Sequence, residues 1–285
     1  KEIIISAGAI KSPHILQLSG IGDSDDLKAA GINTEHELKG VGKNLQEHLD
    51  WIVRYKVKEP ITLNGQDRFP KNVKIAWDYF VHKKGVGSFN NIEGGGFIKT
   101  KPELTRPDVQ LHFVPCNMTG LTDPLPKQHG VTVHACNLRP YSHGTVKPVS
   151  NDPLAKPEVD FNFMSDERDW PVMIDSFRLL RKLMQAKAWN DLVEEEIQPG
   201  KEVETDEDIK RVLGETTETV YHPVGTCKMG NDDMAVVDSQ LRVHGVEGLR
   251  VADASIIPTL IGGNTNAPSM MIGDKCSDMM LEANA

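Results

Sequence analysis

Two stretches of this 285-residue chain carry residue types suited to chemistry. One is Val220-Tyr221-His222-Pro223-Val224-Gly225-Thr226-Cys227-Lys228-Met229-Gly230. The other runs from Val251-Ala252-Asp253-Ala254-Ser255 through Gly262-Gly263-Asn264-Thr265-Asn266-Ala267-Pro268. Histidine titrates near neutral pH, so His222 could take up and return a proton. It precedes a proline, which biases it toward an extended or turn conformation. On type alone it is one of ten histidines, and spacing does not single it out. In the second stretch a strand ends, an acid and small residues follow, and a Gly-Gly-Asn loop leads into a helix opened by Pro268. Small residues let the backbone approach a ligand closely. A helix N-terminus offers N–H groups and partial positive charge to an anion or an electron-rich ring edge. A tight turn followed by a capped helix accounts for the same residues without a ligand.

The composition is that of a globular protein, 39% hydrophobic and 26% charged, with enough apolar residues for a sizeable core. A net charge of −9 argues against a nucleic-acid binder, which would show a basic face. No run of about 18 apolar residues exists to span a membrane; peripheral attachment is not tested by that criterion. Cys116, Cys136, Cys227 and Cys276 form no CxxC pair, so neither a zinc site nor a disulfide framework is expected. Free, packed thiols fit a reducing compartment, and the expected location is the cytoplasm, with membrane association left open.

The elements that must position these stretches can be read from periodicity. Ile3 to Ile5 reads as a fully buried strand. Such a strand needs neighbours on both sides, so the chain is expected to be a fragment that starts in mid-domain. A helix is expected from Ser12 (N-cap) and Pro13 to Gly20, and a short one from Asp23 or Ser24 to Ala30. Strands are expected over 51–57, 94–99, 109–114, 131–137, 144–149 and 158–161, largely without intervening helices, which indicates an antiparallel sheet. Val73 to Val81 can be an amphipathic helix. Ser165 to Lys187 is the longest helical pattern, with Ile174, Phe177, Leu180 and Met184 on one core stripe. Thr205 caps a helix to Leu213, a strand covers 249–252, and a tail helix covers 267–283. The acidic run Glu194-Glu195-Glu196 reads as solvated surface. The fold class is therefore mixed α/β and α+β. Residues 1–48 and 214–285 form one α/β domain, interrupted by a second domain, 49–213, built on an antiparallel sheet with helices.

Taken together, these stretches closely resemble the glucose–methanol–choline oxidoreductase family, over essentially the whole chain. Gly8-Ala9-Ile10-Lys11-Ser12-Pro13-His14-Ile15-Leu16-Gln17-Leu18-Ser19-Gly20-Ile21-Gly22 looks like a signature of that family. Gly40-Val41-Gly42-Lys43-Asn44-Leu45-Gln46-Glu47-His48 resembles another, with Glu47 where Asp is more usual. The Tyr-His-Pro-x-Gly-Thr-Cys-Lys-Met-Gly and Asp-Ala-Ser…Gly-Asn-Thr-Asn-Ala-Pro stretches are similar to its C-terminal half. Within the family the chain looks most similar to bacterial choline dehydrogenases and acceptor-dependent alcohol dehydrogenases.

The resemblance implies a part of a FAD-binding Rossmann-like domain with a substrate domain inserted. The family's Gly-x-Gly-x-x-Gly motif has no match here. It implies His222 as catalytic acid/base and Asn266 as the second active-site position. Asp253, Ala254, Asn264, Thr265, Asn266 and Ala267 would line FAD, and no metal is implied. The implied reaction is oxidation of an alcohol to an aldehyde, with hydride passing to the flavin and His222 taking the hydroxyl proton. Electrons would go to a quinone or other acceptor; an oxidase producing hydrogen peroxide is the first alternative. A non-redox lyase and a non-catalytic remnant are the others, and the isolated chain is expected to be inactive. Trp51, Trp77, Tyr79, Trp170 and Trp189 are available to enclose a trimethylammonium group.

Overall fold

The computed structural model describes residues 1–88, 90, 92, 94–120 and 123–283. They form two compact units. The first comprises Lys1–Leu49, Leu138–Asp169 and Thr219–Ala285; the second comprises Asp50–Asn137 and Trp170–Glu218. This division moves the ends of the expected 49–213 block to 50 and 218 and takes one segment out of it. Leu138–Asp169 groups with the first unit, where its Thr145–Lys147 and Glu158–Asp160 strands pair antiparallel.

In the first unit, strand Ile3–Ile5 pairs in parallel with Leu249–Val251, with Ile3 opposite Leu249. The expectation that this strand is fully buried fails: Ile3 is 67% exposed and Ile4 is also exposed. Among the described residues the strand has one paired neighbour, so its apolar run is covered on one side only. Helix Gly8–Leu18 begins four residues earlier than Ser12, with Pro13 inside it. Proline has no N–H to give the carbonyl four residues back, Ala9. The buried Thr226 hydroxyl donates to that carbonyl instead, 2.5 Å away. Ser12 is therefore not the cap. Its hydroxyl donates to Asp253, whose carboxylate also accepts the Gly8 N–H at 2.9 Å. A carboxylate at a helix start is favoured by the orphan N–H groups and the helix dipole. The expected short helix is Ser24–Ala29, and the Asp23 carboxylate caps it. The core gathers Leu16, Val41, Val224, Cys227, Val251 and Ile272 from all parts of the sequence.

In the second unit five strands of a six-stranded sheet lie in the order Val193–Gln198, Leu49–Val57, Gly130–Asn137, Val109–Val114, Gly94–Ile98, and the short strand Glu218–Thr219 pairs off this path. Val109–Val114 runs antiparallel to both its neighbours, and Val193–Gln198 runs antiparallel to Leu49–Val57. The first of these strands was not expected, because its glutamates hide the β pattern. Glu194 and Glu195 are indeed solvated, but Glu196 is not. It lies against Arg181 at 2.6 Å and accepts from Tyr55 at 3.0 Å. The long helix is Asp169–Met184, shorter at its start than the expected Ser165 cap. Its stripe, Ile174, Phe177, Leu180 and Met184, is buried as predicted. Phe177 stacks on Trp51 with ring centres 4.7 Å apart, and the Trp51 indole donates to Ser176 at 3.0 Å. Helix Asp206–Thr216 starts at a capping box between Thr205 and Asp208. All four cysteines are free and buried.

Candidate functional site

The two chemical stretches meet in the first unit, and a third segment, residues 40–48, joins them. Gln46 and Val224 exchange backbone hydrogen bonds of 3.0 and 2.9 Å, laying the two segments side by side. The Gln46 side chain bridges onward, donating to the Pro258 carbonyl and accepting the Leu260 N–H. Such close packing needs glycine at two turns. Gly225 has φ +94°, and a Cβ there would sit 2.4 Å from the Asn44 carbonyl oxygen; at Gly42, φ +80°, it would sit 2.1 Å from that of Val146.

Glu47 organises the result. Its buried carboxylate accepts the His222 N–H at 2.8 and 3.0 Å, the Thr219 hydroxyl at 2.6 Å and the His48 N–H at 2.8 Å. These bonds fix the backbone on both sides of Tyr221, which has φ +65°. His222 thereby turns its ring toward Asn264, whose Nδ2 lies 3.3 Å from His222 Nε2. His48 packs edge-on against His222, with ring centres 5.5 Å apart. Its Nε2 lies 3.2 Å from the Gly263 carbonyl oxygen.

His222 and Asn264 are thus brought together. Asn266, expected as the second active-site position, is the exposed first residue of helix Asn266–Ala283, two residues after the equally exposed Asn264. Thr265 is buried and Ala267 exposed in the same turn. Asp253 spends its carboxylate on Gly8, Ser12 and the Ser255 N–H, so its role is to hold the turn carrying Ala254. Cys227 is buried, and desolvation pushes its thiol far above the usual range, so it is a packing group and not a nucleophile. Three contributors escaped the sequence reading. Glu47 and His48 lie in a recognisable segment, but its contact with residues 219–222 leaves no local trace. Arg139 lies so close to Gly262 that a Cβ there would clash with its guanidinium.

The architecture is shared with solved flavoenzymes. A mutant formate oxidase of Aspergillus oryzae, solved to follow its FAD modification, superposes with a TM-score of 0.90 at 29% identity, covering 98% of this chain and 54% of that one. An FAD-dependent oxidoreductase from Chaetomium thermophilum matches with a TM-score of 0.85 at 26% identity, over 100% of this chain and 55% of that one. The fold is that of the flavin-dependent oxidoreductases. Two family models, both described as GMC oxidoreductase, match residues 1–50 and 140–273, and the chain belongs to this family. An oxygen-dependent choline dehydrogenase of Escherichia coli O45:K1 is 44% identical over 280 residues, 98% of this chain and 50% of that protein. The chain spans about half the length of the curated relatives it matches.

Proposed function

We propose that this chain supplies the proton-handling half of an FAD-dependent alcohol oxidation, with His222 as the base. The observation that carries the reading is the His222–Asn264 pair, held by Glu47 beside the glycine turn and the start of the C-terminal helix.

The residues around that turn fit a flavin ring. The first intrahelical bond runs from the Ser269 N–H to the Thr265 carbonyl, so the Asn266 and Ala267 N–H groups precede the helical ladder. Pro268 has no N–H to leave unpaired. A Cβ at Gly263 would meet nothing within 4 Å, which leaves room for a flat ligand. Neutral donors at a positive helix end suit the electron-rich carbonyl edge of an isoalloxazine. Asn264, Thr265, Asn266 and Ala267, with the turn Asp253–Ala254, would hold FAD. When bound, FAD supplies the acceptor for the carbon-bound hydride.

The chain's own residues do the rest. Where the Asn264 amide donates to His222 Nε2, that nitrogen carries a lone pair, the form in which it can accept a proton. Asn264 can hold the substrate oxygen in reach of Nε2 without competing for its proton. Removal of the hydroxyl proton by His222 leaves the carbinol carbon free to give up hydride as the aldehyde forms, which balances the two-electron oxidation. Small primary alcohols are the substrate class, choline among them by similarity to the Escherichia coli relative. A quinone or other carrier takes the electrons. The oxygen dependence in the Escherichia coli relative's name favours oxygen as a second reading.

The test is anaerobic flavin reduction by an alcohol in the flavin-loaded protein. His222→Ala should slow reduction by about 10²–10⁴-fold, the usual worth of a positioned base. Reduction at the wild-type rate would refute the assignment. Peroxide formed in step with aldehyde would establish oxygen as acceptor.

A further inference from the structure

Glu47 and His48 are consecutive, and each holds one half of the His222–Asn264 pair. Glu47 fixes the backbone of His222. His48 reaches the other half. Its Nε2 lies 3.2 Å from the carbonyl oxygen of Gly263, the residue joined to Asn264. A carbonyl oxygen only accepts, so the proton of that bond sits on His48 Nε2. The imidazole is buried, and it packs edge-on against the His222 ring with centres 5.5 Å apart.

These contacts close a circuit. His48 holds Gly263, Gly263 carries Asn264, the Asn264 amide lies 3.3 Å from His222 Nε2, and the His222 ring rests against His48. The pliable link in the circuit is glycine. Residues 262 and 263 are both glycine, which has the widest backbone freedom of any residue. Arg139 covers Gly262, where a Cβ would clash with the guanidinium, whereas a Cβ at Gly263 would meet nothing within 4 Å. The bond from His48 thus supplies a restraint on the Gly263–Asn264 peptide that packing around Gly263 does not.

We propose that His48 is a positioning residue for the proton transfer. Through the Gly263 carbonyl it sets the Gly263–Asn264 peptide plane, and with it the distance from the Asn264 amide to His222 Nε2. The proposal rests on the reading of His222 as the base. A histidine buried there only to fill space would affect stability and leave the pair's coupling untouched.

Two substitutions separate the hydrogen bond from the packing. His48→Gln places an amide N–H near the Nε2 position and keeps the donor; His48→Leu fills space and removes it. In anaerobic reduction of the flavin-loaded protein by an alcohol, His48→Leu should lower the limiting rate by about 10–100-fold, within reach of a misplacement of about 1 Å. His48→Gln should recover most of that loss. The second readout is a double-mutant cycle. In a His222→Ala background His48→Leu should slow reduction less than about threefold, because no base is left to position. If His48→Leu does not hold flavin, His48→Asn, whose amide is one methylene shorter than that of Gln, takes its place in the same comparisons. Three outcomes overturn the proposal while leaving His222 as the base: equal slowing in both backgrounds, a His48→Leu rate equal to that of the natural protein, or a His48→Gln rate as low as that of His48→Leu. Reduction at the natural rate in His222→Ala alone overturns the base assignment and this proposal with it.

Discussion

Glu47 carries an unusual load for one side chain. A single buried carboxylate accepts four short contacts from Thr219, His222 and His48, and these set where the His222 ring points. Glu47→Ala would strand several buried donors, each worth about 1–3 kcal/mol when left unpaired. We expect a loss of about 3 kcal/mol in denaturant unfolding, with flavin reduction slowed at least tenfold. Glu47→Asp keeps the carboxylate and should restore most of both. If Glu47→Ala lowered stability but left the reduction rate intact, Glu47 would be a structural clamp without influence on His222. At this scale the sequence was partly legible. His222 could be picked out once its neighbours were compared with a family. The family comparison points to Asn266 as its companion; that the Asn264 amide also lies 3.3 Å from the imidazole is set by the path of the turn and leaves no trace in the sequence.

At the scale of elements, helix Gly8–Leu18 illustrates how a local rule is overridden. Ser-Pro reads as cap and first turn, yet the helix runs through Pro13. It can do so because Thr226, more than two hundred residues away, supplies the donor that proline lacks. Thr226→Val keeps the shape and removes only the hydroxyl. It should cost about 1–3 kcal/mol, seen as a lower urea midpoint with unchanged slope. An unchanged midpoint would mean that the Ala9 carbonyl finds another partner at no cost. Elements with strong periodicity were read well: the stripe of Asp169–Met184, the strand Val109–Val114 and the Thr205 cap all appear where expected. Strand Val193–Gln198 was missed because three glutamates suggest solvent, and its two register shifts break the alternation that would otherwise put Glu196 on the solvated face of Glu194 and not against Arg181. No helix among the described residues is long and apolar enough to cross a membrane.

At the scale of the molecule, acid should act on the second unit through His112. Burial is the main cause that holds its imidazole below the ordinary value, with His134 adding to the effect and Asp50 opposing it. A depressed folded-state pKa means that the unfolded chain binds the proton more readily. The associated stability is therefore complete above about pH 6.5, the unfolded value, and is lost as pH falls through the lower folded value. Urea midpoints measured between about pH 7.5 and pH 5 should fall for the natural protein, and fall less for His112→Gln. Equal slopes would assign the acid sensitivity to other groups.

The pairing of Ile3–Ile5 with Leu249–Val251 bears on how the chain is made. During synthesis the first strand leaves the ribosome long before its partner is translated. Helix Gly8–Leu18 likewise waits for Thr226 and Asp253. The second unit's last segment ends at Glu218, so that unit can close while the first is still open at both ends. A nonsense codon anywhere between residues 220 and 248 would thus spare the sheet of the second unit. It would leave an unpaired apolar strand and a proline-broken helix for chaperones and proteases to find.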